Sequence, residues 1–157
     1  MLKVTLFELI FRLIPEGFLF CLFMFILVDK KIVWHKFVLT SIIFGLTPYF
    51  IRFLPINFGV HTILSLIVYF AVAVIINKIE PLKAISSGLL SVVILSICEF
   101  INFFIVINIF KYPVERLLDN VRLKMLFGSP SLLLFALILF IIYKVKRKNI
   151  KEVSKVV

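Results

Sequence analysis

The chain has 157 residues, is 63% hydrophobic and has a mean hydropathy of +1.21. A soluble domain of this length could not hide that much apolar surface behind a polar coat, so the composition excludes an ordinary water-soluble globule. The formal charge of +10 would point to nucleic acid in a soluble protein. Here the cations flank apolar runs, where anchoring and orientation in a bilayer explain them, and nucleic acid is not an expected partner.

A helix needs about 20 apolar residues to cross a hydrocarbon core of ~30 Å. By that rule the sequence predicts an all-α membrane protein of about five transmembrane helices plus one interfacial amphipathic helix. The first span, Thr5–Val28, stops at Asp29-Lys30-Lys31 and is interrupted by Pro15 and Gly17. Taken from Pro15 alone it would rise only ~21 Å, too short to cross comfortably. One kinked helix is favoured over an interfacial segment followed by a short span, because proline removes one backbone bond without ending a helix in lipid. Glu8, Arg12 and Glu16 recur at i, i+4 and i+8 and stack on one face. They read either as a self-compensating stripe at the membrane edge or as the wall of an internal polar cavity.

The second span is Trp34–Leu54, with Trp34 as an interfacial anchor and Pro48 bending the helix near its end. A turn at Arg52–His61 carries Pro55, Asn57 and Gly59 and joins it to the third span, Val60–Asn77. The fourth span, Ala84–Phe110, carries small residues Ser87, Gly88 and Ser91 at helical spacing, which lets another helix approach closely. Glu99 falls near its middle, with Asn102 one turn on. A charge there costs about 2.5–3.5 kcal/mol, so Glu99 should face protein, be protonated or pair with a cation. Lys111–Gly128 alternates Val114, Leu117, Leu118, Val121 and Met125 with charged residues. That pattern predicts an interfacial helix over residues 113–127, ended by Gly128. Ser129 and Pro130 then read as cap and first turn of a fifth span, Pro130–Val145. A basic tail, 146–157, follows.

Orientation follows from Lys and Arg. With the carboxyl end inside, inside segments hold eleven and outside segments seven, most of the bias coming from the tail. The expectation is a multi-pass cell-membrane protein with its amino end outside and its carboxyl end cytoplasmic. The amino-terminal run lacks the basic region and clean apolar core of a cleavable signal peptide.

Catalytic signatures are missing. The sequence holds no HExxH, no GxSxG and no Gly-rich phosphate loop. His35 and His61 fall on opposite sides of the predicted membrane, as do Asp29 and Asp119. Cys21 and Cys98 read as small buried hydrophobes. No enzyme activity, metal or cofactor is expected. What remains is a candidate ligand site or polar network of Glu16, Arg52, His61, Glu99 and Asn102. Its plainer alternative is a structural ion pair joining Glu99 to Arg52 or Arg12.

The stretches RLIPEGFLF (12–20), RFLPINFGVHTILSLI (52–67), ICEFIN (97–102) and GSPSLLLFALILFIIYK (128–144) resemble the multi-helix membrane sensor region of Gram-positive sensor histidine kinases of the peptide-sensing type. The resemblance implies a bacterial sensor-like module in signal transduction with its output side inside. This chain contains no phosphoacceptor-histidine helix and no ATP-binding domain, so the expectation is either a stand-alone relative or a module that works through a partner. Two functions follow as expectations. The first is a non-enzymatic integral membrane sensor-like or regulatory module acting through helix packing and a partner protein. The alternative is a small transport component or substrate-binding membrane subunit with a polar site around Glu99. Expected partners are the lipid bilayer, another membrane or signalling protein, or a second copy of the chain.

Overall fold

The structure is a computed structural model that describes residues 8–51, 53–54, 58–108 and 121–156. Its described residues form five helices and no strand. They are α1 (Leu9–Val28), α2 (Trp34–Ile51), α3 (Phe58–Ile75), α4 (Pro81–Asn108) and α5 (Val121–Val156).

α1 is one helix with a local defect. Its first five residues, Leu9–Leu13, form a π-turn, closed by the Ile14 N–H donating to the Leu9 carbonyl. Pro15 comes next and has no N–H to continue the α ladder, so the wider turn lies where the helix must accommodate it. The helix is continuous from Leu9 to Val28 through Pro15 and Gly17, while residues 5–7 of the expected span lie outside the described residues. α2 also runs through its proline. Pro48 cannot donate to the Phe44 carbonyl, and the Tyr69 hydroxyl of α3 donates to that carbonyl instead, at 3.1 Å.

The helices alternate in direction. Asn77 Nδ2 donates to Thr40 Oγ1 at 2.9 Å, while Tyr69 packs on Phe44, which sets α2 and α3 antiparallel. α1 lies in the middle and touches α2, α4 and α5, while α2, α3, α4 and α5 follow one another around it. Phe20 reaches from α1 to Phe44 of α2 and Tyr69 of α3. Phe23 stacks on Phe135 of α5 with ring centroids 5.6 Å apart. Cys21 and Cys98 are buried free thiols within this aromatic core, as their apolar settings predict.

Two small-residue contacts set the closest approaches. A Cβ on Gly17 would lie 2.5 Å from the Gly45 nitrogen and 2.6 Å from the Ser41 carbonyl, so α1 and α2 meet backbone to backbone. On α4, Ala84, Ser87, Gly88 and Ser91 are buried, and a Cβ on Gly88 would strike the Phe70 ring at 2.6 Å. The close-packed face read from Ser87, Gly88 and Ser91 is thus real, and its occupant is a ring from α3.

The expected count of five spans is met in part. Three helices are long and apolar enough to cross a membrane: Leu9–Val28, Pro81–Asn108 and Gly128–Lys148. α2 and α3 have 18 residues each and rise only about 27 Å. The first turn of α2 holds Trp34, His35 and Lys36, which dilutes its apolar run. The amino-acid pattern of the fifth span also misled. α5 runs without a break through Gly128, Ser129 and Pro130, so Gly128 ends no helix, Ser129 caps none, and no separate interfacial helix closes at 127. The lost backbone bond at Pro130 is one of 36 residues' worth, and Ser131 Oγ donates to the Gly128 carbonyl beside it at 2.7 Å. Residues 113–120 of the expected interfacial helix lie outside the described residues. The basic tail is helical as well, through Val156.

Candidate functional site

The costliest residue of the apolar runs finds a cation. Arg12 Nη2 donates to Glu99 Oε1 at 2.8 Å, tying the π-turn of α1 to the middle of α4. Lipid cannot solvate either group alone, and pairing is the lowest-cost way to hold both. The Arg12 guanidinium also lies against α5. A Cβ on Gly128 would sit 3.1 Å from Arg12 Nη1, so the absence of a side chain there makes room for the arginine. Three helices thus converge on one ion pair.

The pair is uneven in burial. The Arg12 side chain is 22% exposed and that of Glu99 46%. Glu99 therefore sits at the edge of the bundle rather than pointing into its centre, as the sequence led us to expect. Asn102, one turn along the helix, is buried as expected. The reason is angular: Cys98 and Asn102 share the buried line of α4 with Ser87 and Ser91, and Glu99 is one position off it.

The other expected members scatter. Glu16 is half-buried two turns into α1, and Glu8 is buried at its start. His61 stands in the first turn of α3, its Nδ1 buried and without a hydrogen-bond partner, while its carbonyl accepts the Ser65 hydroxyl at 2.9 Å. Arg52 lies outside the described residues. His35 and His61 occupy the first turns of antiparallel α2 and α3, hence opposite ends. Among the described residues no three of His, Cys, Asp and Glu converge as a metal site would require.

A second polar junction, not expected from sequence, lies at the opposite end of α1. Asp29 ends the helix in the left-handed region at φ 55°, with its N–H and that of Lys30 both turned back to the Phe25 carbonyl. The next carbonyls, of Ile26 and Leu27, accept from Lys146 Nζ at 2.8 and 2.9 Å, and the same ammonium pairs with Asp29 Oδ2 at 2.6 Å. A cation from α5 thus completes the carboxyl end of α1, where orphan carbonyls and the helix dipole favour positive charge. Six tail cations compete for this reading in the sequence, and only the packing of α5 on α1 singles out Lys146.

No protein-family model, curated protein or solved structure matches the chain.

Proposed function

We propose that this chain is a non-enzymatic integral membrane module of sensor-like or regulatory type, acting through helix packing on a partner membrane or signalling protein. The observation that carries the reading is the Arg12–Glu99 pair. This ion pair joins α1 to α4 beside α5, and the buried core of the bundle is filled by Phe20, Phe23, Phe44 and Phe135. Charges that hold helices together suit a module whose output is the relative position of helices.

The proposal includes topology. α2 and α3 lie antiparallel alongside the three long helices, and all five cross, with α1 starting outside and α5 ending in the cytoplasm. The supporting fact is that the cations of residues 29–36, 78–83 and 144–148 meet at one end of the bundle, joined by the Lys146–Asp29 and Lys30–Lys78 contacts.

The transport reading makes a different demand, that Glu99 exchange a proton or cation. Reconstituted in proteoliposomes, the chain should show no proton or cation flux that Glu99→Gln removes. In native membranes, site-directed cross-linking should trap a discrete complex whose signalling output shifts when Arg12 or Glu99 is replaced. A flux abolished by Glu99→Gln in a stably inserted protein would decide for transport.

A further inference from the structure

The end of the bundle where α1 and α3 finish and α2 and α4 begin is strongly basic. Residues 29–36, 78–83 and 144–148 hold nine Lys or Arg against two acids, Asp29 and Glu80. Both acids are already occupied, Asp29 by Lys146 at 2.6 Å and Glu80 by Lys83 at 2.7 Å. Lys30 donates its ammonium to the Lys78 carbonyl at 2.6 Å, which clasps the α1–α2 loop to the α3–α4 loop. Lys144 lies over the Phe140 ring, 4.8 Å from its centroid. Lys31, Lys36 and Lys78 are left exposed and without an acid partner among the described residues.

The clasp places Lys31 and Lys78 on one rim, and Lys36 follows in the first turn of α2. Exposed apolar side chains are interleaved with these cations: Val33 is 51% exposed, Trp34 71% and Leu82 72%. An aliphatic-lined rim of this kind offers a nucleic acid one aromatic platform, Trp34, and no further stacking surface among the described residues. An amphiphile meets both needs, with anionic oxygens for the ammonium groups and acyl chains for the apolar ones, and tryptophan favours that boundary.

We propose that this rim binds anionic phospholipid headgroups through Lys31, Lys36 and Lys78, with Trp34 seated at the same depth. The inference rests on the membrane reading of the chain but not on its regulatory role. Because the acids are spoken for, the contribution of each lysine is set by whether it is paired, not by net charge alone.

The test uses the full chain, purified in detergent and titrated with phosphatidylglycerol or phosphatidylcholine, with bound lipid counted by native mass spectrometry. Phosphatidylglycerol should bind at least tenfold more tightly than phosphatidylcholine. Lys31→Gln, Lys36→Gln and Lys78→Gln should each weaken it about fivefold, the factor for one lysine near an anionic surface. The double replacement Lys83→Gln/Glu80→Gln removes the ion pair without changing net charge and should alter binding by under twofold. Glu80→Gln alone should strengthen binding by releasing Lys83. Millimolar glycerol phosphate should displace nothing. Equal binding of the two lipids, a loss for the Lys83→Gln/Glu80→Gln pair as large as that for Lys78→Gln, or displacement by glycerol phosphate would each overturn the proposal. Insertion of the chain into neutral vesicles is a separate readout, so a missing headgroup preference is distinguishable from failure of the membrane reading.

Discussion

Tyr69 shows how a single side chain repairs a break that the sequence imposes elsewhere. Pro48 withholds an N–H from the Phe44 carbonyl, and the phenol supplies a donor from the neighbouring helix. Tyr69→Phe should therefore lower stability by about 1 kcal/mol, within the range of interhelical hydrogen bonds in membranes. In a Pro48→Ala background the helix supplies its own donor, and the same change should cost close to nothing. Reversible unfolding in mixed detergent, with all four proteins compared, measures the coupling. The Arg12–Glu99 pair is open to the same approach. Arg12→Leu and Glu99→Leu should each destabilise by leaving one charge uncompensated, and the double replacement should recover part of the loss, a coupling of about 1–2 kcal/mol. Glu99→Gln should fold, since the amide oxygen still accepts from Arg12. The need for a partner to Glu99 was readable from hydropathy alone. Which arginine provides it was not, because i, i+4 spacing relates residues within a helix and says nothing of which turn of another helix lies opposite.

At the scale of the element, small residues carry two different meanings that sequence does not separate. Gly17 looks like a helix breaker beside Pro15, yet its position is helical, and its function is to let α2 come within backbone contact. Gly17→Ala would push a methyl against the Gly45 nitrogen at 2.5 Å and the Ser41 carbonyl at 2.6 Å, atoms that move only with their helix. It should cost about 1–3 kcal/mol, as overpacking does. Gly59→Ala is the control: its Cβ meets nothing within 4 Å, and the change should be neutral or mildly stabilising by helix propensity. Thermal unfolding of the two variants side by side makes the comparison, and equal stabilities would remove the close α1–α2 crossing. Gly128 teaches the same lesson. In the pattern Gly-Ser-Pro it reads as a helix end, a sound rule where water competes for backbone groups. In α5 the helix persists through it, and the missing side chain accommodates Arg12. A glycine's role depends on what lies across from it, which is tertiary information.

For the whole molecule, the open matter is whether α2 and α3 cross or fold back as a hairpin within one leaflet. α3 is apolar over Gly59–Ile75, α2 less so because of its first turn, and their 18 residues sit at the lower margin of a span. The proposed crossing draws on the packing. Thr40 meets Asn77 near one end of the α2–α3 pair, and Gly45 of α2 packs on the start of α1, beyond the level of Phe44 and Tyr69. α2 therefore runs alongside α1 from the Lys30 rim to the π-turn, the length that α1 itself spans. A hairpin confined to one leaflet would have to stop near the middle of α1. Single cysteines distinguish the two, in a background with Cys21 and Cys98 replaced by Ala or Ser. A cysteine at Gly59, where added atoms meet open space, should react with an impermeant thiol reagent from outside intact cells, whereas one at Lys31 should react only after the membrane is opened. Labelling of both positions from the same side would reduce the crossing helices to the three long ones, and the α2–α3 turn would lie at the basic rim's side of the membrane. The opposite-side result places the π-turn, the Arg12–Glu99 pair and the α2–α3 turn toward the exterior, and leaves the lysine rim facing the cytoplasmic leaflet.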